Sequence, residues 1–209
     1  MQTNRAAENL QTIRTLMERS AIYRRALAPI LLLAGAIGVV TAAFGFFASV
    51  KLSLAFLLLW LGAAAIAMLG AFLLARRQAV KDKEAFWSGP TRRVTQALSL
   101  PFLTGLFFSV LPTLMYGGYA PGILNKFIVA LWMMFYGLAL FTAGFFMPRA
   151  IKVFGTFFVI SGWCLFLLGS MDKISEQINM HLLMGSFFGV LHLALGAYLY
   201  LTEKKNPAA

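Results

Sequence analysis

The chain has 209 residues, of which 60% are hydrophobic and only 12% charged, against about 25% charged in an ordinary soluble domain. Eighteen Lys and Arg against seven Asp and Glu give a net charge of +11, and the mean hydropathy is +0.80. These values exclude a soluble globular protein, a disordered chain and a separate catalytic domain, and the lone Cys164 leaves no internal disulfide framework and no cysteine-based zinc or iron–sulfur site.

Residues 1–25 are polar and basic. They are too long and too mixed in sign for the n-region of a cleavable signal peptide, so no cleavage is expected. Leu10, Ile13, Met17 and Ala21 recur at helical spacing, while Arg14 and Glu18 sit one turn apart on the more polar side. The pattern predicts a short amphipathic helix. It either lies on the lipid headgroups or docks a cytoplasmic protein partner, and Ile13, Arg14 and Met17 are its candidate contact residues.

Six apolar segments follow, over 26–50, 52–75, 97–116, 125–147, 151–170 and 180–201. Each is long enough for a hydrocarbon core of about 30 Å. Only helices and closed barrels satisfy the backbone in lipid, and the alternating pattern of barrel strands is absent. The expected fold is all-α, a transmembrane domain of six helices over 26–202 with a basic loop at 76–96 and a short tail at 203–209.

The charges sort by side. With the N-terminus inside, fifteen Lys and Arg fall on the inner side, and three, Lys51, Lys126 and Lys173, fall outside. This positive-inside bias predicts that both termini are cytoplasmic. The excess of positive charge then belongs to topology and to anionic lipid, not to nucleic acid. In the inner loop, the second helix is expected to run on toward Phe86 and Trp87, with Ser88, Gly89 and Pro90 turning the chain. Trp87, Arg92 and Arg93 suit the headgroup region and are candidate lipid or partner contacts.

Small residues are patterned within the spans. Ala34, Gly38, Ala42, Gly45 and Ser49 line one face of the first, and Ala63, Ala67, Ala71 and Ala75 one face of the second. Ala130, Gly137 and Gly144 in the fourth, and Gly155, Gly162 and Gly169 in the fifth, recur every seven residues. Such stripes let helix backbones approach closely in lipid.

The sixth span carries both histidines. His181, Gly185, Gly189, His192 and Gly196 fall on one face of a straight α-helix. His181 lies near the outer boundary and His192 near mid-membrane. An ionisable residue at that depth is a substrate or proton-relay candidate. The structural alternative is a neutral imidazole bonded to a backbone carbonyl of a neighbouring helix across the glycine groove.

Other chemistry is thin. No phosphate-binding glycine motif and no His-Glu-x-x-His zinc motif occurs. Two histidines on one helix cannot face each other across a haem. No cofactor or metal is expected, and no enzyme activity has a recognisable nucleophile. Gly38–Phe47, GVVTAAFGFF, and Gly137–Phe146, GLALFTAGFF, echo each other in antiparallel spans, as an inverted three-plus-three repeat of a transporter would.

The stretch from Glu8 to Pro29, ENLQTIRTLMERSAIYRRALAP, resembles the start of an uncharacterised family of bacterial polytopic membrane proteins. The stretch from Met184 to Gly196, MGSFFGVLHLALG, resembles the end of the same family, and GPTRRVTQAL between them is compatible with it. The resemblance implies a multi-pass protein of the bacterial inner membrane and assigns no catalytic residue. Two functions remain open. One is an accessory or regulatory membrane protein that docks a cytoplasmic partner or senses the bilayer. The other is a small transporter or permease, working as a homodimer, with a site near His192.

Overall fold

The computed structural model describes residues 26–83, 85–116, 121–171, 174 and 178–205. The predicted N-terminal helix, with Ile13, Arg14 and Met17, lies outside these residues. Among the described residues there is no strand. Six helices are long and apolar enough to cross a membrane. They are α1 (Ala26–Phe47), α2 (Ser53–Lys81), α3 (Gly89–Tyr116), α4 (Pro121–Ala143), α5 (Arg149–Ser170) and α6 (180–205). Large apolar side chains such as Leu58, Ile66, Leu69, Leu103, Val153 and Ile160 stand more than half exposed on the outer surface. Only lipid covers so many without aggregation, and the chain is a multi-pass membrane protein.

The helix ends differ from the expected ones: α1 stops at Phe47 and α4 at Ala143, each a few residues short, and the inner loop is built differently. The second helix stops at Lys81 and does not reach Trp87. Asp82 caps it, and Lys83 takes a left-handed φ of 54°, which ends α-helical bonding. Phe86 then folds back, its ring 5.1 Å from that of Phe72 on α2. Gly89 and Pro90 do not turn the chain but open α3, because a proline in the first turn has no amide to lose. The hydroxyl of Ser88, just before the helix, sits 3.0 Å from that of Thr91.

Two glycine seams hold the bundle together. In the first, α1 packs antiparallel on α6. A Cβ added at Gly38 would lie 2.5 Å from the Phe188 carbonyl oxygen, and one at Gly35 would lie 2.7 Å from the Leu193 nitrogen. The contact stripe on α1 is Gly35, Gly38, Ala42 and Gly45, so Gly35 takes the place expected of Ala34. Ser49 falls past the end of the helix, exposed and with φ at 52°. In the second seam, α4 packs antiparallel on α5. A Cβ at Gly137 would lie 2.6 Å from the Gly155 carbonyl oxygen, and Gly162 meets the Ala130 carbonyl in the same way. Gly169 stands off this seam, near Ile174. The echoed glycines of α1 and α4 therefore have different partners. Under an inverted repeat, the pairing of α4 with α5 would make α1 seat its glycines on α2, whereas it seats them on α6.

α3 packs on α4. Pro101 within α3 deprives the Ala97 carbonyl of its amide donor, and the Thr142 hydroxyl of α4 lies 3.1 Å from that oxygen. A carbonyl freed by proline in lipid needs such a donor from a neighbour. The main core, with Phe56, Trp60, Ile128, Met133, Phe158 and Met184, joins α2, α4, α5 and α6. A second core of Leu27, Leu31, Ile151 and Leu199 ties α1, α5 and α6 at the end of the bundle that carries Arg149 and Lys152. The Lys152 ammonium there sits 3.9 Å from the centre of the Phe145 ring, a cation–π contact.

Candidate functional site

The two histidines of α6 occupy different surroundings. His181, in the first turn, is 3% exposed. Its ring fills the space that a Cβ on Gly45 of α1 would take. Nδ1 accepts the indole N–H of Trp60 at 3.2 Å, and Nε2 lies 2.8 Å from the Val50 carbonyl oxygen. Indole can only donate and a carbonyl can only accept, so the ring is the neutral Nε2–H tautomer. The Asn179 side chain caps the helix by accepting the His181 amide at 2.9 Å. Asn125 of α4 donates to the next carbonyl, Lys51, at 3.1 Å. Together His181 and Asn125 satisfy two backbone carbonyls of the short connection between α1 and α2. His181 thus meets the structural alternative set out for His192: an imidazole bonded across a glycine groove to a carbonyl of another segment.

His192 is 2% exposed. It does not share the glycine face. A π-helical turn, Gly185–Val190, separates Met180–Met184 from Leu191–Lys205. The extra residue in that turn rotates His192 away from α1 and toward α4 and α5. There Nε2 accepts the hydroxyl of Tyr136 on α4, and Nδ1 donates to the Phe187 carbonyl one turn back at 3.0 Å. The hydroxyl must be the donor to Nε2, because the carbonyl fixes the proton on Nδ1. The ring centres of Phe154, Phe158 and Phe188 lie 5.1, 5.7 and 6.0 Å from that of His192. The Tyr136 ring in turn stacks on Phe102 of α3 at 6.0 Å.

Sequence reasoning passed over Tyr136, although a signal was available. Of the six tyrosines, at 23, 116, 119, 136, 198 and 200, only Tyr136 lies well inside a span. A mid-membrane histidine needs a partner at similar depth. Trp60 is the corresponding donor for His181. Met180 and Met184 pack into the core. Asp172 and Glu176, near His181 in sequence, lie outside the described residues. Trp87, Arg92 and Arg93 are exposed around the start of α3. Among the described residues no group of three or more His, Cys, Asp and Glu is placed to hold a metal.

What the arrangement does chemically is limited by geometry. Each imidazole spends both nitrogens on fixed partners, and neither presents a free edge. The fold and site define a six-helix membrane protein with a histidine–tyrosine pair at its centre. No protein-family model, curated protein or solved structure matches the chain.

Proposed function

We propose that the chain is an accessory or regulatory protein of the bacterial inner membrane, with both termini in the cytoplasm. Its bundle serves as a frame that presents a basic, amphipathic surface to a cytoplasmic partner at the face of anionic lipids. One observation carries this reading: His192 is 2% exposed and has both ring nitrogens engaged. A bundle closed by aromatic rings at its deepest polar point suits a frame better than a conduit. The presenting surface combines Ile13, Arg14 and Met17 with Trp87, Arg92 and Arg93. The resemblance of Glu8–Pro29 and Met184–Gly196 to a bacterial polytopic family supports the location.

The orientation rests on fifteen basic residues against three. Reporter fusions at Ala209 and within 117–122 should therefore give opposite signals, with Ala209 inside. An external signal at Ala209 would reverse the assignment.

Docking is tested with a photo-crosslinking residue placed at Ile13 or Met17 in cells. A discrete protein adduct is expected, and Arg14→Glu should weaken it without lowering the amount of chain in the membrane. Adducts with lipid alone would show an interfacial anchor and overturn docking.

A second reading, a small transporter with a site near His192, draws on one feature. The intramembrane His192–Tyr136 pair adjoins a π-turn, and such turns concentrate at functional sites.

A further inference from the structure

An α-helix bonds each amide to the carbonyl four residues back, and a π-turn to the carbonyl five back. Where the ladder returns from five to four, one carbonyl is passed over. In α6 the Leu191 amide still bonds Ser186, and the next carbonyl along the chain is Phe187. Inside a membrane no water replaces the missing donor. The His192 ring does, through Nδ1–H at 3.0 Å, and Tyr136 of α4 holds that ring from its other nitrogen. The π-turn thus depends on a side-chain donor whose position is set by another helix.

The two halves of α6 are held differently. The half before the turn is anchored to other elements by polar bonds, from His181 to Val50 and Trp60. Beyond the His192–Tyr136 bond, the half after the turn is held by packing alone, with Leu193 and Gly196 close against Gly35 and Leu32 of α1 and with Leu195 and Leu199 in the cluster of Leu27, Leu31 and Ile151. Its Thr202 hydroxyl bonds only carbonyls of its own helix. The turn itself contains Gly185 and Gly189, which add no side chain to resist reshaping.

We propose that α6 carries one surplus residue, held in the Gly185–Val190 turn by the Tyr136–His192 latch, and that this turn is a register switch. When the ring leaves the Phe187 carbonyl, the surplus residue migrates along the helix. The half 191–205 then turns about its axis relative to the half 180–184, by up to one residue step, about 100°. Because Leu199 packs on Leu27, Ala28 and Leu31, the turning reaches the start of α1. The switch needs no partner and stands whether or not the N-terminal segment docks one.

Two deletions test the surplus residue. Val190 lies in the turn and is exposed. Removing it should leave a continuous α-helix with both halves still in register, so membrane level and melting should stay close to wild type. Removing the exposed Ala194, beyond the turn, should lower both: it misplaces Gly196 and Leu199 if the surplus stays in the turn, and turns His192 away from Tyr136 if the surplus is drawn toward the deletion. Equal damage from the two deletions would overturn the proposal.

The latch is tested by paired spin labels in membranes, on a Cys164→Ser background. One pair, at Val153 and Tyr200, reports the half after the turn, and a second, at Leu168 and Leu182, reports the half before it. Tyr136→Phe should add a second distance population, shifted by roughly 5–8 Å on a helix of this diameter, in the first pair only. Tyr136→Phe combined with the Val190 deletion should return to one population, since no residue is left to migrate. A single unshifted distance in Tyr136→Phe, or the same change in both pairs, would overturn the latch.

Discussion

Replacing Gly38 with leucine should unfasten α1 from α6 and destabilise the bundle by about 3 kcal/mol, at the upper end of ordinary overpacking. The first added carbon already meets the Phe188 carbonyl oxygen at 2.5 Å and the Gly189 nitrogen at 2.9 Å. Both are backbone, so no side chain can swing aside, and the whole helix must move. Moving it would break more than the seam, because His181 reaches Val50 across the same interface. Gly62→Leu is the matched control. An added Cβ at Gly62 has nothing within 4 Å, and the residue lines an outward groove of about 550 Å³ with Ala36, Val40 and Ile66. That substitution should change stability by no more than about 0.5 kcal/mol, as surface changes usually do. Thermal melting of the two variants in one detergent makes the comparison. Similar midpoints would mean that the α1–α6 seam does not hold the fold.

The seams were readable from sequence because small residues three and four apart have one cheap explanation in lipid, close backbone approach. Gly137 and Gly155 lie on stripes marked by their spacing, and the fold supplies their pairing with each other. The helix count was readable because span length is a matter of composition. What was not readable came from tertiary chemistry. Nothing in GSFFGV demands π-bonding; the turn depends on a donor that the fold brings to Phe187. A straight α-helix therefore put His192 on the glycine face, and one extra residue carried it to Tyr136. The end of α2 failed for a local reason: the run toward Phe86 looked helical, but the left-handed Lys83 is a backbone choice that no side chain there announces.

The His192–Tyr136 pair should show strong coupling in a double-mutant cycle. Tyr136→Phe keeps the ring contacts with Phe158 and Phe188, at 5.2 and 5.1 Å, and removes one hydroxyl. It leaves Nε2 of a 2%-exposed histidine without a donor, a loss of about 1 kcal/mol by the scale of hydrogen bonds within membranes. His192→Phe removes the donor to Phe187 and strands the Tyr136 hydroxyl as well. Two unpartnered polar groups in a dry core should destabilise by about 3 kcal/mol. In the double variant the hydroxyl is gone and only the Phe187 carbonyl is stranded, a loss of about 1.5 kcal/mol, so the two single losses should fall short of additive by about 2.5 kcal/mol. His192→Gln is the decisive third variant. Its amide N–H can serve Phe187 and its carbonyl can accept from Tyr136, so melting should stay close to wild type. If His192 serves structure and helix register alone, the glutamine variant should also keep whatever cellular phenotype loss of the protein reveals. If the pair relays protons or binds a substrate, glutamine should keep the fold and lose the phenotype, because an amide does not exchange a proton as an imidazole does. Additive losses in the cycle would remove the pair as a unit. A phenotype kept in His192→Gln would then leave transport without its site.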